Sequence, residues 1–309
     1  MRHVSSAVLM VAAVLLSPAS RTAAMATPVR PRPQIEHVVI LIVDGLRPDC
    51  ALLADTPTIH AMARTGAYTF WARTTSVAIT LPSCTSMLTG VSPAKHHVDW
   101  NRDLPAGKQA YPAVPTVLEM ATRAGYDTAL VAGKSKFVAL APSGAVTHVF
   151  LPAAGGKCSD EEVAAEAAKI ITAFRPALMC IHFPDVDVVG HAKGWGSPEQ
   201  LAQIARTDRA IEQVFAALER AGMRGSTVVV LSADHGGAGR THGGEDPRSR
   251  HIPWVAVGPG VRPGYDLTQN VRIEVRTEDT GATACWLLGL PLPPYLDGQP
   301  VRDAFAPGS

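Results

Sequence analysis

Apolar residues recur along the chain in short unbroken runs, each followed by polar or glycine-rich sequence. His37 to Val43, HVVILIV, is apolar and β-branched almost throughout, without the alternation of a strand wetted on one side. It predicts a central parallel strand ending at Asp44-Gly45. Thr128 to Ala132, Leu178 to His182, Thr227 to Leu231 and Pro253 to Val257 repeat the pattern, each with helical sequence before or after it. Ser159-Asp-Glu-Glu162 is a capping box that opens a helix with Val163, Ala167, Ile170, Ile171 and Phe174 on one face, halted by Pro176. Ser197-Pro198-Glu199-Gln200 opens another, with Leu201, Ile204, Ile211, Phe215 and Leu218 as its face and Gly222 as its stop. Asp208 falls on that apolar stripe and so needs a hydrogen-bond partner. Thr116 to Gly125 and Thr280 to Leu288 predict shorter helices. Ile79 to Gly90, ITLPSCTSMLTG, predicts a turn and a short helix capped by Ser83, with Thr80 just ahead of its N-terminus. Alternation of this kind implies an α/β fold, a three-layer sandwich with a largely parallel central sheet flanked by helices. Residues 36–309 are expected to form one domain, with Ala94 to Pro115 and Pro263 to Ile273 as surface excursions.

The N-terminus stands apart from this pattern. Arg2 and His3 precede an apolar run from Ala7 to Leu16, and Ala24-Met25-Ala26 has the form of a cleavage site. Residues 1–26 therefore read as a signal peptide, because a membrane span needs roughly twenty apolar residues and Ser17, Pro18 and Arg21 end the run early. A secreted or periplasmic location follows, with no membrane span in the mature chain. Residues 27–35 are a proline-rich lead-in. The chain has 309 residues, 47% of them hydrophobic, and a net charge of +1, enough apolar sequence for a sizeable core and too little charge to expect a nucleic-acid polymer as partner. Its five cysteines include no CxxC pair and predict no particular bridge.

Ligands of open parallel sheets bind at the carboxyl ends of the strands, so the residues just past each predicted strand carry the functional signal. Asp44 follows the first strand; Asp185, Asp187 and His191 follow another; Asp234 and His235 follow a third, with His242 seven residues further on. Each alone is readily a turn or a solvated residue. Together, beside a hydroxyl at a helix start, they are the carboxylates and imidazoles that a two-metal hydrolase needs. Asp187-x-x-x-His191 has metal-ligand spacing, but Gly190 within it argues against a helix there. Lys134 and Lys136 follow a strand and could reach a phosphate, but are expected to be solvated; His96 and His97 are expected at the surface; Trp71, Trp100 and Trp195 could line a pocket for a base or aryl group, but are expected to pack in the core.

The set Asp44, Thr80-x-Pro82, Asp187-x-x-x-His191, Asp234-His235-Gly236 and Thr241-His242-Gly243 resembles the alkaline phosphatase superfamily, and most its nucleotide pyrophosphatase/phosphodiesterase branch. The likeness runs in order from about Val39 to Pro259, and Asp297-Gly298-Gln299-Pro300 adds to it. It implies two zinc ions, one held by Asp44, Thr80, Asp234 and His235 and the other by Asp187, His191 and His242, with His251 as a rival to His242. It also implies in-line attack by Thr80 on a small phosphate ester through a phospho-threonine intermediate. Ser83 takes the place of the Asn that diesterases of this branch often carry three residues after the nucleophile, and is expected to bind a phosphoryl oxygen. The short interval from Asp234 to His242 implies little lid and an open pocket. An exported zinc-dependent phosphodiesterase or nucleotide pyrophosphatase is the leading expectation; a phosphomonoesterase or phosphonate hydrolase of the same fold, and more remotely a catalytically silent metal-binding protein, are the alternatives. Thr80 with Cys84 four residues on argues against a sulfatase, which needs Cys or Ser followed by Arg at those positions.

Overall fold

The computed structural model describes residues 29–307 apart from residue 106, so the expected signal peptide lies outside the described residues. Eight strands form one sheet: β1 (His37–Val43), β2 (Ala67–Arg73), β3 (Thr128–Ala132), β4 (His148–Phe150), β5 (Leu178–Phe183), β6 (Thr227–Ser232), β7 (His251–Val257) and β8 (Tyr265–Asp266). Their order is β4-β3-β5-β1-β6-β7-β2-β8. The first five positions run parallel, and β7 alone is reversed, antiparallel to both β6 and β2. Strand β1 is buried at all seven positions because β5 and β6 flank it and helices cover both faces of the sheet. Its unbroken apolar run is the sequence signature of that double burial.

The helices over one face are Asp160–Phe174, Asp185–Lys193 and Pro198–Arg220, and over the other Thr80–Thr89, Val117–Arg123 and Thr277–Leu287. The Ser159–Glu162 capping box forms as its sequence requires. Asp208, fully buried on the apolar stripe of its helix, accepts from the backbone N–H groups of Thr58 and Ile59 at 3.0 and 2.8 Å and so caps the Pro57–Thr65 helix.

Two local expectations are corrected. The helix after the Ile79 turn begins at Thr80 itself, with Ile79 as the capping residue, and Ser83 lies within its first turn. The Asp187–His191 segment is helical despite Gly190. A Cβ at that position would stand 2.8 Å from both the Gln200 amide and the Trp195 ring, so the glycine serves close packing and does not end the helix. The edge strands β4 and β8, and β2 beside β8, are short or half-exposed and carry no continuous apolar run to announce them. His96, expected at the surface, is fully buried with its Nε2 2.9 Å from Ser86 Oγ.

Candidate metal centre

The carboxyl ends of β1, β5 and β6 converge on one place. Asp44 ends β1, and Gly45 follows with φ +74°; a Cβ there would approach within 3.1 Å of Asp187, so only glycine lets the two aspartates come this close. Asp234 and His235 stand just past β6, and both are fully buried. Asp187 lies in the first turn of the helix that follows β5, with His191 one turn on and its Nε2 3.3 Å from Asp187 Oδ1. His242 arrives on a loop, its Nε2 3.6 Å from the same oxygen. Thr80, 1% exposed, presents its Oγ1 3.4 Å from His235 Nε2.

The donor atoms form two overlapping groups, Asp44 with Asp234 and His235, and Asp187 with His235 and His242, the atoms of each within 4.8 Å of one another. Each histidine has its Nδ1 against a backbone carbonyl: His235 on Gly236 at 2.8 Å, His242 on Ala78 at 2.9 Å, His191 on Arg240 at 3.0 Å. A carbonyl accepts only, so every Nδ1 must carry the hydrogen, and each ring in the neutral form that a metal requires turns its Nε2 lone pair toward the carboxylates. Among the described residues, Asp44 Oδ1, Asp187 Oδ1 and Asp234 Oδ2 are buried with no hydrogen-bond partner. Orphaned carboxylate oxygens facing imidazole lone pairs fit divalent cations, and the mixed N/O donor set suits zinc.

Lys134 is the residue that sequence reasoning misjudged most. Expected to be solvated, it is 6% exposed and its ammonium stands 2.6 Å from Asp44 Oδ2 and 2.6 Å from Asp187 Oδ2, between the two groups. It answers the oxygens opposite the orphaned ones, so its presence is compatible with cations at the latter. His182, the fifth residue of β5, was also passed over. Its Nε2 lies 3.0 Å from Asp44 Oδ2 and orients that carboxylate from behind.

The electrostatics report a dry site with too much negative charge. Burial alone would raise the Asp44 carboxyl, but Lys134, His182 and His235 outweigh it and hold it well below the usual carboxylate range. Asp234 faces the same burial, with Asp44 adding to the rise; His235 and Lys134 offset only part of it, and the carboxyl is pushed up to about 7. Burial disfavours charge on His235, yet Asp234 and Asp44 prevail and raise it to about 9. Burial and the neighbouring His235 lower His242 to about 4, which keeps it neutral as a ligand should be.

A cavity of about 300 Å³ opens beside Thr80, Asp187, His191 and His242. Asn101, which was not foreseen, and Lys136, a candidate phosphate contact expected to be solvated, also line it. Asn101 Oδ1 accepts from the Leu81 N–H at 3.0 Å and from Lys136 Nζ at 2.7 Å, which turns its amide N–H groups away from those partners. Ser83 does not line this cavity; fully buried, its Oγ pairs with Thr75 Oγ1 at 2.9 Å. His251 lies elsewhere, stacked at 3.9 Å on Trp71, which is 65% exposed and not a core residue. Trp195 is buried and donates to Gly45 O at 2.8 Å, bracing the turn behind Asp44.

Residues 38–242 match the family model of type I phosphodiesterases and nucleotide pyrophosphatases. The chain belongs to this family, within the alkaline phosphatase superfamily. Solved structures share the fold: an inactive threonine-to-alanine variant of murine ectonucleotide pyrophosphatase/phosphodiesterase 5 in complex with AMP superimposes with a TM-score of 0.75 at 16% identity, covering 88% of this chain and 100% of that one. A phosphonate monoester hydrolase from Silicibacter pomeroyi gives 0.61 at 18% identity, covering 88% and 77%. Among curated proteins, the human GPI ethanolamine phosphate transferase 2 catalytic subunit is 23% identical over 301 residues, 88% of this chain and 29% of that protein. Danio rerio arylsulfatase K is 32% identical over 103 residues, 32% of this chain and 19% of its own length. The chain thus spans less than a third of these curated relatives. The family and its relatives support an enzyme of phosphate esters, a hydrolase or transferase. No helix among the described residues is long and apolar enough to cross a membrane.

Proposed function

We propose that the protein is an exported, zinc-dependent phosphodiesterase or nucleotide pyrophosphatase that uses Thr80 as its nucleophile. The observation that carries this reading is the place of the Thr80 hydroxyl, at a helix start, 3.4 Å from His235 Nε2 and on the cavity shared with Asp187, His191 and His242. Asp44, Thr80, Asp234 and His235 would hold one zinc ion and Asp187, His191 and His242 the other. When bound, the ions would supply the positive charge that favours an ionised hydroxyl and charge building on the phosphoryl oxygens.

The chain's own residues do the rest. Thr80 Oγ1 attacks phosphorus as the bond to the leaving alcohol breaks, and water then cleaves the phospho-threonine to restore the hydroxyl. Asn101, with its amide N–H groups turned away from Leu81 and Lys136, takes the donor role expected of Ser83. Burial of the first ligand group excludes bulk water and strengthens each of these interactions. The threonine-to-alanine variant of the murine structural neighbour is described as inactive, which supports an essential threonine in this fold.

Turnover of an aryl phosphate, a bis-aryl phosphate, an aryl sulfate and a dinucleotide by zinc-loaded protein tests the substrate class. The diester or dinucleotide is expected to be cleaved fastest. A preference for the monoester would move the assignment to a phosphomonoesterase, and cleavage of none of the four would leave a silent metal-binding protein.

A further inference from the structure

Beyond the ligand residues, the lining of the cavity is basic. Three segments build it: Asn101 to Asp103, the turn after β3 with Lys134 to Lys136, and the loop with Gly155 to Lys157. They are fastened to one another. Lys134 and Lys157 face each other across an isolated β-bridge, Cys158 N–H donates to Gly133 O at 3.0 Å, and Asp103 Oδ2 accepts from Ser135 Oγ at 2.8 Å and from the Gly155 N–H at 3.3 Å. The basic side chains therefore hang from a fixed frame.

Their partners separate them into two sets. Lys134 is committed to Asp44 and Asp187. Lys136 rests on a neutral acceptor, Asn101 Oδ1, in a half-buried position. Arg102 and Lys157 have no carboxylate within 4.0 Å and no side-chain hydrogen bond among the described residues, although both line the cavity. Asp103, the remaining acid on this wall, spends its Oδ2 on Ser135 and Gly155. Among the described residues, no Phe, Tyr or Trp side chain lines the cavity. The wall is arranged for charge.

We infer that Arg102, Lys136 and Lys157 form a subsite for a second anionic group on the substrate, so that the preferred ester carries a carboxylate or a further phosphate on its leaving alcohol. This inference rests on the phosphate-ester reading above and names the substrate class for it.

The test uses two diesters that differ only in the charge of one alcohol, methyl 3-carboxypropyl phosphate and its carboxamide analogue, on the zinc-loaded protein. The charged ester is expected to have a kcat/KM about tenfold higher or more, from two or three partly exposed ion pairs. That ratio should fall toward one in Arg102→Ala/Lys157→Ala, return in Arg102→Lys/Lys157→Arg, and shrink at high salt. Calorimetry of both esters on Thr80→Ala reads the same ratio as affinity, without turnover. Absence of turnover with the affinity ratio intact would overturn the catalytic reading and leave the subsite standing. Equal affinities for the two esters, or a preference untouched by the double substitution, would overturn the subsite.

Discussion

The two proposed ligand groups are built on different parts of the fold. Asp44, Asp234 and His235 sit at the ends of the central strands β1 and β6, each fully buried, and their positions are set by the sheet itself. Asp187 and His191 ride on a nine-residue helix and His242 on a loop, and the His191 side chain is 45% exposed. This second group is held by local packing instead: Gly190 against Trp195, and reciprocal bonds in which Asp160 N–H donates to Asp185 and Asp185 N–H donates to Asp160. A fully buried group beside one that reaches solvent through His191 suits a site where the nucleophile is shielded while water and product come and go.

Substitutions can break this division. The largest effect is expected from Thr80→Ala, on the buried side: kcat should fall by about 10⁴-fold while elemental analysis finds most of the metal retained by Asp44, Asp234 and His235. Asp187→Ala, on the open side, should lower the metal stoichiometry from two to one and leave the circular dichroism spectrum intact. If it instead emptied both sites, the groups would not be separable. Lys134→Met removes the cation that joins them. Two buried carboxylates would then face each other, destabilising chelator-treated protein by about 3–5 kcal/mol, and excess zinc should restore most of the loss in a thermal melt.

The smallest effect concerns how the open group is pinned to the scaffold. Burial and the nearby Asp185 raise Asp160 to about 7, above a free aspartate's 3.8. Between those values the folded chain keeps a proton that the unfolded chain has lost, so stability falls as pH rises through that window. Asp160→Asn should flatten the slope of Tm against pH between about 4 and 7. An unchanged slope would show that another group titrates there.

The division also explains what was legible in the sequence. Residues at the ends of buried parallel strands announce themselves, because the apolar run before Asp44 and Asp234 marks the strand and the sheet fixes which edge they reach. The capping box at Ser159 and the demand that Asp208 find a partner were readable for the same reason: local rules decide them. Gly190 misled because its role depends on Trp195 and Gln200, which only the folded chain brings against it. Lys134 looked like any strand-end lysine; its ion pairs join residues 90 and 53 positions away, a pairing that no local pattern encodes. Asn101, Arg102 and Lys157 belong to loops whose residues meet through contacts such as the Lys134–Lys157 bridge, and nothing in their spacing signalled it.

The central claim is that phosphorus passes through a covalent bond to Thr80. The direct measurement is mass spectrometry of the peptide containing Thr80 after zinc-loaded protein is mixed with a phosphate ester and quenched in acid within its first turnovers. A phosphoryl group on Thr80, absent without substrate, is the expected result. Full turnover with the Thr80 peptide unmodified at every quench time, and substantial activity left in Thr80→Ala, would contradict it.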